Sequence, residues 1–292
     1  MNTKENRKTI RVVYPDWMGG ANPNYAYGCR ILEAIMPKSS RTKILEIPVS
    51  EDYDKELVVK DQVTEKDQLL KQQKLAKELI SFEAPDRIIV IGGPCSAEQA
   101  PFDYLHGKYP DTGLIWIDVH PDITRTGDYP NEHAMVLGNL LGDGDASFAS
   151  LVGHKFRTED VCYAGMKIDE METYEKKYME DYRIHTVTPA MLHEMGSRPV
   201  LDWVKERGYR HLIVHWDLDV LSPKSFYSLL CNEPLSGPTP YVVGDMHFEE
   251  IAKLITDLDH AVDIVGLGIC EYMPWDAIAL QKTMQKISLF QD

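Results

Sequence analysis

The sequence contains no run of about 18 or more apolar residues, so no segment is expected to cross a bilayer as a helix. It also lacks any Cys-x-x-Cys pair. Its five cysteines, Cys29, Cys95, Cys162, Cys231 and Cys270, are odd in number and widely spread. That excludes a disulfide framework and fits free thiols in a reducing compartment, most of them buried and inert. Positive charge is scarce: 31 Lys and Arg face 46 Asp and Glu, a formal net charge of −15. Such a field repels nucleic acid and acidic membrane surfaces, so neither is expected as a partner. It attracts cationic solutes, among them metal ions and guanidinium compounds, although an acidic surface also serves simply to keep a protein soluble. The opening MNTKENRKTI is charged and lacks the apolar run of a signal peptide, and a cytoplasmic location is expected. Internal repeats, low-complexity linkers and breaks in composition are all missing, so residues 1–292 are expected to form a single α/β domain.

What is present is a series of short Val-, Ile- and Leu-rich runs. Strands are expected at Ile10–Tyr14, Ile44–Ile47, Arg87–Ile91, Leu114–Asp118, Asp160–Ala164, His211–Asp219 and Asp263–Cys270. Their continuous apolar character is that of strands buried on both faces of a parallel sheet. Helical periodicity appears over Thr64–Phe82, which puts Leu69, Ala76 and Ile80 on one stripe. It recurs over Phe248–Leu258, and Pro274 stands just before a third expected helix, Trp275–Phe290. Gly19–Asn24 and Asn232–Pro240 read as loops. In open α/β sheets, ligand sites form outside the carboxyl ends of the strands. The chemistry-bearing residues stand there.

Leu114–Ile117 runs directly into Asp118-Val119-His120-Pro121-Asp122. In an extended chain, Asp118, His120 and Asp122 would project the same way, and carboxylates with imidazole suit manganese, iron or zinc better than calcium or magnesium. His211–Asp219 repeats the pattern, with Asp217 and Asp219 two positions apart. Burying both charges is costly without a cation. His215 shares their parity, but reads better as a packed histidine or one supporting the ligands. Gly92-Gly93-Pro94-Cys95-Ser96 places Cys95 at the mouth of a strand, beside a helix start expected to favour its thiolate. Glu271 follows the last strand in Cys270-Glu271-Tyr272-Met273-Pro274. Taken singly, each of these has an ordinary structural explanation.

In this order and spacing, Gly92–Ser96, Asp118–Asp122, Asp217–Pro223 and Glu271–Pro274 resemble the motifs of the arginase/agmatinase/formiminoglutamase (ureohydrolase) superfamily. The chain looks like a variant with cysteine at the first metal-ligand position. The resemblance implies a three-layer α/β/α fold with a mostly parallel central sheet. It also implies a hydrolase cleaving a C–N bond of a linear guanidine or amidine, arginine-like or N-hydroxyarginine-like, with a metal-bridging hydroxide. By the same resemblance, two Mn²⁺ ions would be bridged by Asp118 and Asp217. His120 and Asp219 would complete one set, and Asp122 and Cys95 the other. Glu271 would align the guanidinium, and His133 would transfer a proton.

Several residues depart from the pattern. Cys95 stands where histidine is usual, which adds charge and softness, so one ion is expected to bind weakly or to be replaced by Zn²⁺ or Fe²⁺. Pro94 and Ser222 replace aspartates, and Ile123-Thr124-Arg125-Thr126 lacks an asparagine near Thr124 that arginases use for the amino-acid end of their substrate. The cysteine also motivates N-hydroxyarginine as a substrate. Two alternatives stay open: a pseudoenzyme or regulatory binding protein with an impaired metal site, and an amide deacetylase on the related zinc-dependent fold. The expected partner is a small guanidino or amidino molecule, with a homo-oligomer as one assembly state to test.

Overall fold

The computed structural model describes residues 7–237, 241–275 and 277. The expected helix at Trp275–Phe290 lies almost wholly outside these residues, as does the end of the Asn232–Pro240 loop. Among the described residues there are ten strands: β1 Thr9–Tyr14, β2 Lys43–Glu46, β3 Val59–Lys60, β4 Val63–Thr64 and β5 Arg87–Gly92, then β6 Thr112–Ile117, β7 Val161–Ala164, β8 His185–Val187, β9 His211–Asp217 and β10 Asp263–Cys270. Eight of them form one sheet in the order β2-β1-β5-β10-β9-β6-β7-β8. Every neighbouring pair in it is parallel. The small β3–β4 hairpin is antiparallel and separate.

Alternation along each strand divides the core in two. Leu114 and Trp116 of β6 join one apolar cluster with Ala76, Ile80 and Leu105. Ile115 and Ile117 join the other with Leu32, Val200 and Leu254. Helices therefore cover both faces, from 66–83 and 99–108 on one side and 24–35, 198–207 and 248–261 on the other. A strand buried twice must be apolar at every position, and all six residues of β6 are buried.

Strand order positions the site. β1 and β5 are neighbours, but β10 and β9 are inserted between β5 and β6. Loops leaving β5 and β6 diverge to opposite sides of this insertion, opening a crevice at the carboxyl ends of the four central strands.

Four expectations are corrected. β6 ends at Ile117 and β9 at Asp217, so Asp118 and Asp219 stand in turns, not in strands. Asp122 has φ +50°, which breaks the extended geometry assumed for its motif. The helix expected from Thr64 begins at Lys66, because Thr64 pairs with Val59 in the hairpin. Phe248 begins its helix but is exposed, leaving Ile251, Leu254 and Leu258 as the buried stripe.

Candidate metal centre

All eight side chains singled out in the sequence meet in that crevice. Cys95 comes from the turn after β5, and Asp118, His120 and Asp122 from the loop after β6. Asp217 and Asp219 come from the end of β9, Glu271 from the end of β10, and His133 from a short turn at 132–135. All but the fully buried Asp118 line, with Tyr25, Tyr129, Tyr174 and others, a cavity of about 300 Å³.

The loop after β6 is shaped by its own hydrogen bonds. Asp118 accepts from the Trp116 indole N–H at 3.1 Å and, through Oδ1, from the His120 amide at 2.7 Å. The Tyr163 hydroxyl holds the Pro121 carbonyl at 2.8 Å. Asp122 then takes its left-handed conformation, and its carbonyl accepts from the Gly138 amide at 3.0 Å. Asp217 makes the matching turn, accepting the Asp219 amide at 2.7 Å. Glu271 is also left-handed, at φ +65°, and its amide donates to the Gly93 carbonyl at 2.8 Å. Two non-glycine residues held in this sparsely populated region, both pointing into one cavity, indicate that surrounding contacts override local preference.

Four groups of possible ligands overlap here among the described residues, two of them built on Asp118. In one, Asp118, His120 and Asp219 each place a ligand atom within 4.8 Å of the others. His120 Nδ1 is 2.8 Å from Asp219 Oδ2. In the second, Cys95, Asp118, Asp122 and His215 meet the same criterion. Cys95 Sγ lies 3.0 Å from Asp217 Oδ2. His133 Nδ1 is 3.2 Å from Glu271 Oε1, so this histidine is anchored in the site rather than left on a surface loop.

The charges at the site call for a cation. Burial raises the Asp118 carboxyl from its ordinary 3.8 to about 6, with Asp219 adding to the shift. Burial and Asp118 push Asp122 up, and burial and Asp219 push Asp217 up. Burial opposes the charged form of His120, but Asp219, Asp118 and Asp122 outweigh it and raise its pKa. Two carboxylate oxygens, Asp122 Oδ2 and Asp219 Oδ1, are buried with no hydrogen-bond partner. Unpaired buried anions are costly, and divalent cations relieve that cost. The donor set fits such ions.

One sequence expectation fails. Cys95 does open the helical segment, a 3-10 turn at Cys95–Glu98 that runs into helix 99–108, but its thiol pKa is pushed up by burial, by Cys270 and by Asp122. Burial among carboxylates outweighs what the helix start offers a thiolate. Two further residues enter the site that the motifs did not mark. Cys270 lies 3.7 Å from Cys95, and Glu98 hydrogen-bonds the buried His215 at 2.7 Å. Cys270 sits beside Glu271 in the sequence, which is the signal that could have found it. Glu98 carried no periodic or spacing signal.

The family model described as "Arginase family" matches residues 33–286. The chain belongs to the arginase family. It is similar to the arginase of Staphylococcus aureus, 27% identical over 209 residues that cover 69% of this chain and 66% of that protein. The match thus spans just under two thirds of that relative's length. The Entamoeba histolytica arginase solved in complex with L-ornithine superposes at TM-score 0.75 and 18% identity, covering 92% of this chain and 91% of that one. Formimidoylglutamase from Bacillus subtilis superposes at 0.66 and 15%, covering 94% and 82%. At those identities the structures establish a shared fold, an arginase-like parallel sheet between helical layers. No helix among the described residues is long and apolar enough to cross a membrane.

Proposed function

We propose that this arginase-family chain is a metal-dependent hydrolase cleaving a C–N bond of a linear guanidine or amidine. The observation that carries the proposal is the pair of donor groups sharing the buried Asp118, whose other members His120, Asp219, Cys95 and Asp122 line a cavity that also holds the His133–Glu271 pair. His120 and Asp219 would hold one ion and Asp122 and Cys95 the other, with Asp118 and Asp217 available to both. When bound, two divalent cations such as Mn²⁺ would supply the Lewis-acid charge that makes a water nucleophilic near neutral pH. The protein's own groups do the rest. Glu271 receives the guanidinium through charge-assisted hydrogen bonds and sets its plane. His133, in contact with the same carboxylate, delivers a proton to the departing amine.

The cavity also constrains the substrate tail. Glu170, Glu172 and Glu175 line it, and Lys167 pairs with Glu170 at 2.9 Å. This excess of carboxylates disfavours a tail ending in a free carboxylate and favours a neutral or cationic one. Such a lining weighs against free arginine and N-hydroxyarginine and for guanidino compounds with amine or uncharged tails.

A panel of guanidino and amidino compounds, including arginine, N-hydroxyarginine, a guanidino-amine and a formimino amino acid, tests this. Release of urea, hydroxyurea or formamide is assayed with metal content measured on the same sample. Turnover of a guanidine with two metal equivalents per chain is expected. No turnover of any compound at full metal loading would sink the hydrolase reading. A regulatory binding protein draws support from Cys95, whose burial raises its thiol pKa and so opposes metal binding as thiolate, and binding of a guanidine without turnover at one metal equivalent or none would favour it.

A further inference from the structure

On the sheet side of the carboxylates, four buried side chains converge from three neighbouring segments. They are Cys95 after β5, His215 and Asp217 on β9, and Cys270 at the end of β10. One donor atom from each lies within 4.8 Å of the others. Cys270 Sγ is 3.7 Å from Cys95 Sγ and 3.7 Å from Asp217 Oδ2. Parallel pairing of β10 with β9 sets Cys270 opposite Asp217, and so places the second sulfur beside the first.

His215 is the decisive residue. Its ring is fully buried, stacked on Trp116 at 3.7 Å between centroids, and therefore fixed in orientation. Nδ1 lies 2.7 Å from Glu98 Oε2, and with that nitrogen donating, Nε2 presents its lone pair. Nε2 has no hydrogen-bond partner and faces the carboxylates, with Asp118 Oδ2 at 3.5 Å. A carboxylate on one nitrogen and an open lone pair on the other is the usual environment of a metal-binding histidine. Space for the carboxylate is reserved by Gly268, where a Cβ would lie 1.9 Å from Glu98 Oε1.

We propose that His215 supplies the imidazole of the Cys95 metal position and that Cys270 supplies a second sulfur, giving a Cys95–Cys270–His215–Asp217 site selective for zinc over manganese. Histidine is thus not lost from this position but moved from the turn after β5 to strand β9. Two sulfurs, one imidazole and one carboxylate make the four-donor set that tetrahedral Zn²⁺ accepts, whereas manganese prefers oxygen-rich shells. The centre would then be mixed: a soft ion against the sheet, held by Cys270 and His215 in place of the Asp122 contact assigned above, and a harder ion at Asp118, His120 and Asp219 toward the cavity. The inference rests on the metal-centre reading but not on any substrate.

Full-length protein is purified under reducing conditions, stripped with chelator and reloaded with Zn²⁺, Mn²⁺ or Co²⁺ alone and in competition. One zinc equivalent is expected to resist an about tenfold excess of Mn²⁺. X-ray absorption of the wild-type zinc form should show two sulfur neighbours at about 2.3 Å. The Co²⁺ form should carry a thiolate charge-transfer band that falls to about half in Cys270→Ser, and His215→Ala should weaken zinc binding about tenfold or more. One sulfur or none in the wild-type spectrum, or equal retention of manganese and zinc, would overturn the assignment, and that measurement needs no variant to fold. A two-sulfur zinc site in a protein that turns over no guanidine would uphold this inference and defeat the hydrolase reading. Guanidine turnover with two manganese ions and no sulfur ligand would do the reverse.

Discussion

At the scale of single residues, the site is a balance between burial and charge. Glu132 shows this away from the proposed ligands. Burial, followed by the charge of Asp16, raises its carboxyl from 4.5 to about 8, and Asn139 donates to one oxygen at 3.0 Å while the other is unpaired. The folded chain holds this proton at pH values where the unfolded chain has released it. Its contribution to stability is therefore complete below about pH 4.5 and is lost as pH rises toward 8, at a slope of at most about 1.4 kcal/mol per pH unit. Glu132→Gln keeps an acceptor for Asn139 and cannot ionise. Denaturant melts across pH 5 to 8 should show a flatter stability profile in the variant, and an unchanged slope would refute the assignment. His133 gives a prediction about rate. If it delivers the proton, His133→Ala should lower kcat by about 10²- to 10⁴-fold with a smaller change in KM. Steady-state kinetics on whichever guanidine is turned over will decide.

At the scale of elements, strand ends and the turns after them aim the chemistry. Gly93 illustrates how little room there is. A Cβ at that position would lie 1.9 Å from the Asp16 carbonyl oxygen, and the Gly93 carbonyl receives the Glu271 amide. Gly93→Ala should cost about 1–3 kcal/mol through overpacking and shift Glu271, seen as a lowered Tm together with weakened guanidinium binding. Wild-type Tm and affinity in the variant would show that the turn has more slack than its contacts suggest. The elements were unevenly legible. Seven strands of the main sheet stand out as apolar runs, six of them because parallel strands buried twice have no polar face to confuse the pattern, whereas β2 is a largely exposed edge strand. β8 is three residues long, with only Val187 fully buried, and left no such run. Helix 24–35 was hidden by the glycine- and asparagine-rich stretch just before it.

At the scale of the whole molecule, the −15 formal charge and the buried carboxylates act together. The metal-free chain carries electrostatic repulsion at the centre of its sheet, so cations should stabilise the entire fold by mass action. At about a hundredfold excess over Kd the gain is about 2.7 kcal/mol, which for a chain of this size is a rise in Tm of roughly 4 to 5 °C. Calorimetry of chelator-treated protein with and without added Mn²⁺ or Zn²⁺ measures it directly. No shift with either ion would argue against a metal centre altogether.

The sequence alone determined the sheet's parallel character, the positions of the loops that carry chemistry, and the candidate side chains Cys95, Asp118, His120, Asp122, His133, Asp217, Asp219 and Glu271. It did so because apolar periodicity and ligand spacing are local properties, written within a few residues of each other. Only the tertiary structure decided how these segments meet. The left-handed turns at Asp122 and Glu271, the burial that raises the Cys95 thiol pKa, and the approach of Cys270, Glu98 and His215 all depend on strand order. β5, β10 and β9 are distant in sequence and adjacent in space, and no local pattern encodes that adjacency.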